Sequence, residues 1–145
     1  MRNINHNAPV TYASSIAIQA SPERVWSVLT DIDGWASWQN DIRKPKLKDR
    51  LVSGGTFVWT TGGIAIHSEL HTVEPQRTLG WTGTAPGTFA IHNWNLKAHN
   101  SGTLVSVEES MEGFLVRLFK NLFRRNLEKS LNTWLQLLKG ASERA

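Results

Sequence analysis

The residues best equipped for chemistry are a histidine and a glutamate, His92 and Glu109. A buried imidazole beside a carboxylate can take a proton from, or return one to, an enolisable or phenolic substrate. The same pair can also satisfy itself as a polar contact, orient a ligand, or link a sheet to a neighbouring helix. Which of these applies depends on whether the chain brings the two side chains face to face. Alternate residues of a strand face opposite sides. Over 90–99 this separates Ala90, His92, Trp94, Leu96 and Ala98, the expected buried set, from Ile91, Asn93, Asn95, Lys97 and His99. Over 103–111 the more apolar set is Val105, Val107, Glu109 and Met111. Asn100-Ser101-Gly102 between them is a hairpin signal. A two-residue turn at Asn100-Ser101 pairs His99 with Gly102, and counting back sets Leu96 against Val105, Trp94 against Val107 and His92 against Glu109. Directly opposed β-carbons stand about 4.5–5.5 Å apart, within hydrogen-bond reach for these two side chains. A three-residue turn would set an apolar face against a polar one and is rejected.

Other candidates surround this pair. Ser68 shares a strand face with Ile64, Ile66 and Leu70 and has one hydroxyl to offer a ligand. Seven tryptophans in 145 residues exceed what a core of this size needs. Trp59, Trp81 and Trp94 fall on strand positions that line the interior, Trp38 is placed to close its mouth, and Trp26 and Trp134 read as plain core. An aromatic wall with one polar end suits a flat or elongated apolar ligand, provided the indoles do not fill the space themselves. The expected wall consists of Trp38, Phe57, Trp59, Ile66, Leu70, Trp81, Trp94, Phe114, Leu118 and Leu122. His67, Glu69 and His71 form a His-x-Glu-x-His run, but at about 3.3 Å per residue its outer members lie about 13 Å apart. They also face away from the predicted core, so a solvated face is expected there and no metal site.

The elements that must hold these residues are legible. Val10 to Ala20 reads as a strand. Ser21 is a good N-cap, Pro22 suits the first helical position and Glu23 the positive end of the dipole, so a short helix opens there. Trp35 to Trp38 begins a second short helix. Strands follow at 43–48, 56–61, 64–73, 78–84, 88–98 and 103–111, separated by Gly54-Gly55, Gly62-Gly63, Glu74-Pro75-Gln76, Pro86-Gly87 and the hairpin. Pro45 and the lysines mark the first of these as an edge. Beyond Gly113, Leu115, Phe119, Leu122, Phe123, Leu127, Leu131, Trp134 and Leu138 recur at three- and four-residue steps. They predict one helix over 114–143, about 45 Å long at 1.5 Å per residue. Strand, two short helices, six more strands and a long helix make an α+β domain. A bent antiparallel sheet gripping that helix encloses a cavity. Residues 1–8 read as a flexible leader, and 9–145 as one domain.

Composition narrows the function. There are no cysteines, which excludes a disulfide scaffold, a thiolate zinc site and a thiol nucleophile. No stretch approaches the ~20 apolar residues of a membrane span, and Met1 to His6 lacks the apolar run of a secretory signal. The expectation is a cytoplasmic protein without stable membrane insertion. The chain carries a net charge of +4, with cations gathered at Arg43–Arg50 and Arg117–Lys129. Neither cluster is expected to carry exposed aromatics that would stack bases, so solvated faces are expected and no nucleic acid. There is no phosphate loop, nucleophile elbow or nucleotide fingerprint, and no cofactor is expected.

In order along the chain, Ser21–Asp31, Trp35-Ala36-Ser37-Trp38, Phe57 with Trp59, Trp81-Thr82-Gly83, Ala90–Trp94 and Glu108–Gly113 resemble the START-like, helix-grip superfamily. That superfamily includes the birch-pollen allergen type, polyketide cyclase/dehydrase proteins and lipid-transport proteins. The resemblance covers nearly the whole chain beyond residue 8 and implies the helix-grip fold with an internal cavity. It implies no shared catalytic residues, because carriers, cyclases, hormone receptors and chaperone cofactors all use the fold. Three functions follow as expectations. The first is a binder of a small hydrophobic, lipid-like or aromatic polyketide-like molecule. The second is a cyclase or dehydratase with His92 as acid/base and Glu109 as its orienting partner. The third is an interaction module using the basic face of the last helix. The sequence does not decide between monomer and homodimer.

Overall fold

The computed structural model describes residues 1–144. Seven strands form one antiparallel sheet: β1 (Val10–Ile18), β2 (Ile42–Leu47), β3 (Thr56–Thr61), β4 (Ile64–Glu74), β5 (Thr78–Ala85), β6 (Thr88–His99) and β7 (Gly102–Glu112). Their order across the sheet is β1-β7-β6-β5-β4-β3-β2, so β1 and β2 are its edges. Edge strand β2 carries a bulge between Arg43 and Lys46, where Lys44 has φ 51° and Pro45 needs no ladder partner. Between β1 and β2 lie helix α1 (Pro22–Thr30) and a 3-10 turn (Ile32–Ser37). The Ser21 hydroxyl accepts from the Arg24 amide at 3.2 Å, and Val25 and Leu29, one turn apart, are buried.

The long last helix is broken. Helix α2 (Phe114–Leu118) and helix α3 (Lys120–Glu143) meet at Phe119, whose φ/ψ of −115°/44° is not helical. The break has a packing cause: α2 sits on β6 and β7, whereas α3 runs over β1 and α1. The Leu115 amide donates to the Gly87 carbonyl at 3.2 Å, pinning α2 to the β5–β6 turn. Gly113 has φ 124°, and a Cβ there would lie 2.3 Å from the Gly87 oxygen. At its other end α3 is held by Arg24, whose guanidinium donates to the carbonyls of Ala141 and Ser142 at 3.2 and 3.3 Å.

The core lies between the sheet and α3, but the outer face of the sheet is also covered. Residues 1–8, read as a flexible leader, form a strap across that face. Ile4 is buried, the Asn5 amide donates to Ser110 Oγ at 3.0 Å, and Asn93 Nδ2 donates to the Arg2 carbonyl at 2.9 Å. This explains why Asn93 and Ser110, which alternation turns away from the interior, are buried.

Candidate functional site

The β6–β7 hairpin has the expected register. Asn100 and Ser101 both have positive φ, His99 pairs with Gly102, and His92 stands opposite Glu109. His92 Nδ1 is hydrogen-bonded to Glu109 Oε1, and both side chains are largely buried. An ionised carboxylate only accepts, so with Glu109 ionised the proton of this bond belongs to Nδ1 and Nε2 is left among the aromatic rings. On the neighbouring strand Trp81 pairs with His92, and the two rings stack with centroids 4.4 Å apart and planes within 4°. Trp94 lies 5.4 Å from His92, and Trp134 of α3 closes over both at 6.5 and 5.8 Å.

His92 Nε2 and Trp94 Nε1 are buried, and neither has a hydrogen-bond partner among the described residues. Buried polar atoms are nearly always partnered, and leaving one unpaired costs about 1–3 kcal/mol. Two such nitrogens on neighbouring rings, both against Trp134, single out this spot in the interior.

The expected open cavity is corrected at this point. Most of the space between sheet and helix is taken up by the protein's own rings. Trp35 packs on Phe57, Trp59, Trp81 and Trp134 with centroids 5.1–6.1 Å apart. Most of these contacts are edge-to-face, an arrangement worth about 0.5–1.5 kcal/mol per pair beyond burial. Phe57, Leu70, Trp81 and Trp94 do face this interior and are buried. Ser68 is buried too, but its oxygen accepts from Trp59 Nε1 at 3.0 Å and so is engaged within the protein. Ile66 is half-buried, and half-buried Trp38 meets Trp134 at 5.8 Å near the rim. Phe114, Leu118 and Leu122 do not line the interior: they are 70%, 69% and 50% exposed. Helix α2 buries Val116 and ties the Leu115 amide to Gly87, which leaves Phe114 and Leu118 on its outer side.

One residue of this cluster, Trp35, is missing from the set the sequence points to. Trp35 is fully buried at its centre, its Nε1 donating to the Leu29 carbonyl at 2.9 Å. The i, i+3 spacing of Trp35 and Trp38 carried that signal, since both had to share a face. Trp134 is core, as its helical spacing predicts, and it also meets five rings: Trp35, Trp38, Trp59, His92 and Trp94. Of the His-x-Glu-x-His run, His67 and Glu69 are exposed, while His71 is held under the strap by Asn93.

A family model described as polyketide cyclase / dehydrase and lipid transport matches residues 9–143. The chain belongs to that family. No curated protein matches it. Among solved structures it is similar to a hypothetical protein from Helicobacter pylori, with 18% identity, TM-score 0.83, and 99% of this chain and 98% of the other covered. It is also similar to a START superfamily protein from Mycobacterium smegmatis, at 13% identity and TM-score 0.80, covering 92% and 97% of the two chains. The Zhui aromatase/cyclase from Streptomyces sp. R1128 gives 17% identity and TM-score 0.79, covering 92% and 93%. At these identities the likeness is one of fold: the helix-grip, α+β architecture expected from the sequence. Family and fold together suggest a START-like, polyketide-cyclase-like protein of the hydrophobic-ligand-binding kind. No described helix is long and apolar enough to cross a membrane.

Proposed function

We propose that this protein binds a small, flat, hydrophobic molecule, lipid-like or aromatic and polyketide-like, between its sheet and α3. A polar oxygen of the ligand meets His92 Nε2 and Trp94 Nε1. The observation that carries this reading is the pair of buried, unpartnered nitrogens set among tryptophan rings. A hydroxyl or a carbonyl oxygen would satisfy Trp94 Nε1, which can only donate, and a hydroxyl would also serve a neutral Nε2, which can only accept. Because rings already occupy the interior, binding must swing Trp134 or Trp38 aside. The driving term is apolar burial, roughly 25 cal/mol per Å².

Native mass spectrometry of protein purified from its own host, repeated after denaturation, tests this. A small lipophilic mass that is lost on denaturation is expected. A clean apoprotein that also gains no thermal stability from aromatic and acyl compounds would overturn the reading.

A second reading has its own support in the Glu109–His92 hydrogen bond, which fixes the ring and its tautomer. With Nδ1 carrying the shared proton, Nε2 is placed to accept a proton from an enolisable carbon or a phenol of a bound ligand and later return it. The catalytic reading requires His92→Ala to abolish turnover of the ligand so identified while its binding survives. Equal loss of both would leave His92 a binding residue only.

A further inference from the structure

We infer that the α2–α3 junction docks the protein on an anionic lipid surface, an interaction separate from the interior site. Phe114, Leu118, Phe119 and Leu122 are 70%, 69%, 49% and 50% exposed, four large apolar side chains within nine residues. Exposed apolar groups gathered in this way mark interaction sites, whereas isolated ones do not. Phe114, Arg117 and Leu118 share one face of α2, and Leu122 and Arg125 one face of α3. The apolar rim continues past the Pro86-Gly87 turn, which Phe114 adjoins, toward exposed Ile64 of β4.

Charge selects the occupant. Residues 113–127 contain Arg117, Lys120, Arg124 and Arg125 and no acidic residue. The rest of the chain carries twelve basic and twelve acidic side chains, so the whole net charge of +4 arises in this short stretch. Cations with no acidic residue among them, set between exposed Phe and Leu, suit a membrane interface, where rings and aliphatic chains enter the headgroup boundary and cations meet anionic lipid. The segment is short and its apolar side chains are few, so it lies on the surface and does not span.

Co-sedimentation with vesicles tests the inference, comparing phosphatidylcholine alone with phosphatidylcholine containing about 30 mol% phosphatidylglycerol. Binding is expected to the anionic vesicles only, weakening several-fold when salt rises from about 0.1 M to about 0.5 M. Arg124→Gln and Arg125→Gln should each lower partitioning about fivefold. Leu118→Ser with Leu122→Ser should lower it at least tenfold without changing the melting temperature, since these side chains are exposed. Phe114→Ser, at the other end of the patch, should also lower it and serves if the double variant disturbs the junction. No binding to anionic vesicles, binding equal on both vesicle types, or binding that survives the apolar substitutions would overturn it. Capture of an acidic protein without vesicle binding would do so too.

Discussion

The imidazole of His92 lies flat on the indole of Trp81 while its Nδ1 is bonded to Glu109 on the opposite strand. Three strands thus fix one ring: β5 supplies the stacking surface, β6 the ring, and β7 the orienting carboxylate. Only Nε2 remains uncommitted. The consequences for stability and for ligand binding can be separated. Glu109→Leu strands a buried Nδ1–H without its acceptor and is expected to destabilise the fold by about 1–3 kcal/mol. His92→Leu in the same chain removes the donor as well and should recover much of that loss, since replacing both partners by apolar groups is nearly neutral. Urea denaturation of the two singles and the double closes the cycle. Additive losses would show that the two side chains are not energetically coupled and would remove Glu109 from its positioning role. Ligand binding should weaken, by about the worth of one hydrogen bond, in every variant lacking the imidazole, whatever the stability.

Trp134 is the part of α3 that fills the interior, with five rings around it. Trp134→Ala is therefore expected to destabilise by about 3–5 kcal/mol, the range for deleting a large aromatic side chain from a core. The void left would be walled by Trp35, Trp59 and Trp94, and apolar cavities of that kind admit small aromatic molecules. Indole should then raise the melting temperature of Trp134→Ala but not that of the wild type. No response in the variant would mean that the sheet and α3 collapse onto the space, and that the interior is not a latent ligand site.

His71 predicts a pH dependence for the strap. Burial is the main influence holding its imidazole below the usual histidine value; the bond to Asn93 opposes this, and the N-terminal amine and Arg2 add to the lowering. Its partners agree with a neutral ring. Nε2 donates to Asn93 Oδ1 at 2.9 Å, leaving Nδ1 to accept from Thr72 Oγ1 at 2.8 Å and from the Arg2 amide at 3.4 Å. A folded-state pKa below the unfolded one means that the unfolded chain binds the proton more readily. The contribution to stability is thus complete above about pH 6.5 and is lost as pH falls through that value toward the folded pKa. Hydrogen exchange of the amides of residues 2–5 should accelerate on acidification relative to the rest of the sheet, after correction for intrinsic rates. The stability difference between wild type and His71→Gln should shrink over the same window. A difference that is flat or grows toward acid pH would contradict the assignment.

What the sequence made legible follows from how far each signal reaches. Alternation along 88–98 and 103–111 together with Asn100-Ser101 fixed the register of one hairpin, and that register alone brings His92 to Glu109. The errors arose where the deciding contact lies far along the chain. Phe114, Leu118 and Leu122 stand four residues apart on the one helix predicted over 114–143, but that helix is cut at Phe119, and α2 is tied to Gly87 in another turn. Asn93 and Ser110 follow strand alternation faithfully and point outward; they are buried because residues 2–5 cross over them. Periodicity cannot report whether a space is open or already filled. That depends on Trp35 and Trp134 meeting from separate elements, with centroids 5.1 Å apart.

The β6–β7 turn offers the last test, because it fixes the site from a distance. Asn100 and Ser101 have φ of 45° and 67°, the left-handed pair of a type I′ hairpin. Asparagine tolerates this conformation, whereas serine pays a steric penalty that glycine avoids. Ser101→Gly should therefore stabilise the protein, by about 0.5–1 kcal/mol, read as a higher urea midpoint at unchanged slope. Ser101→Val should destabilise it by about 1–2 kcal/mol, since a β-branched side chain suits positive φ least. Neither residue touches the interior, so ligand affinity should stay constant wherever the chain is folded. If Ser101→Val instead weakened binding in fully folded protein, the strained turn would be shifting the strands, and with them the opposition of His92 and Glu109 on which the site depends.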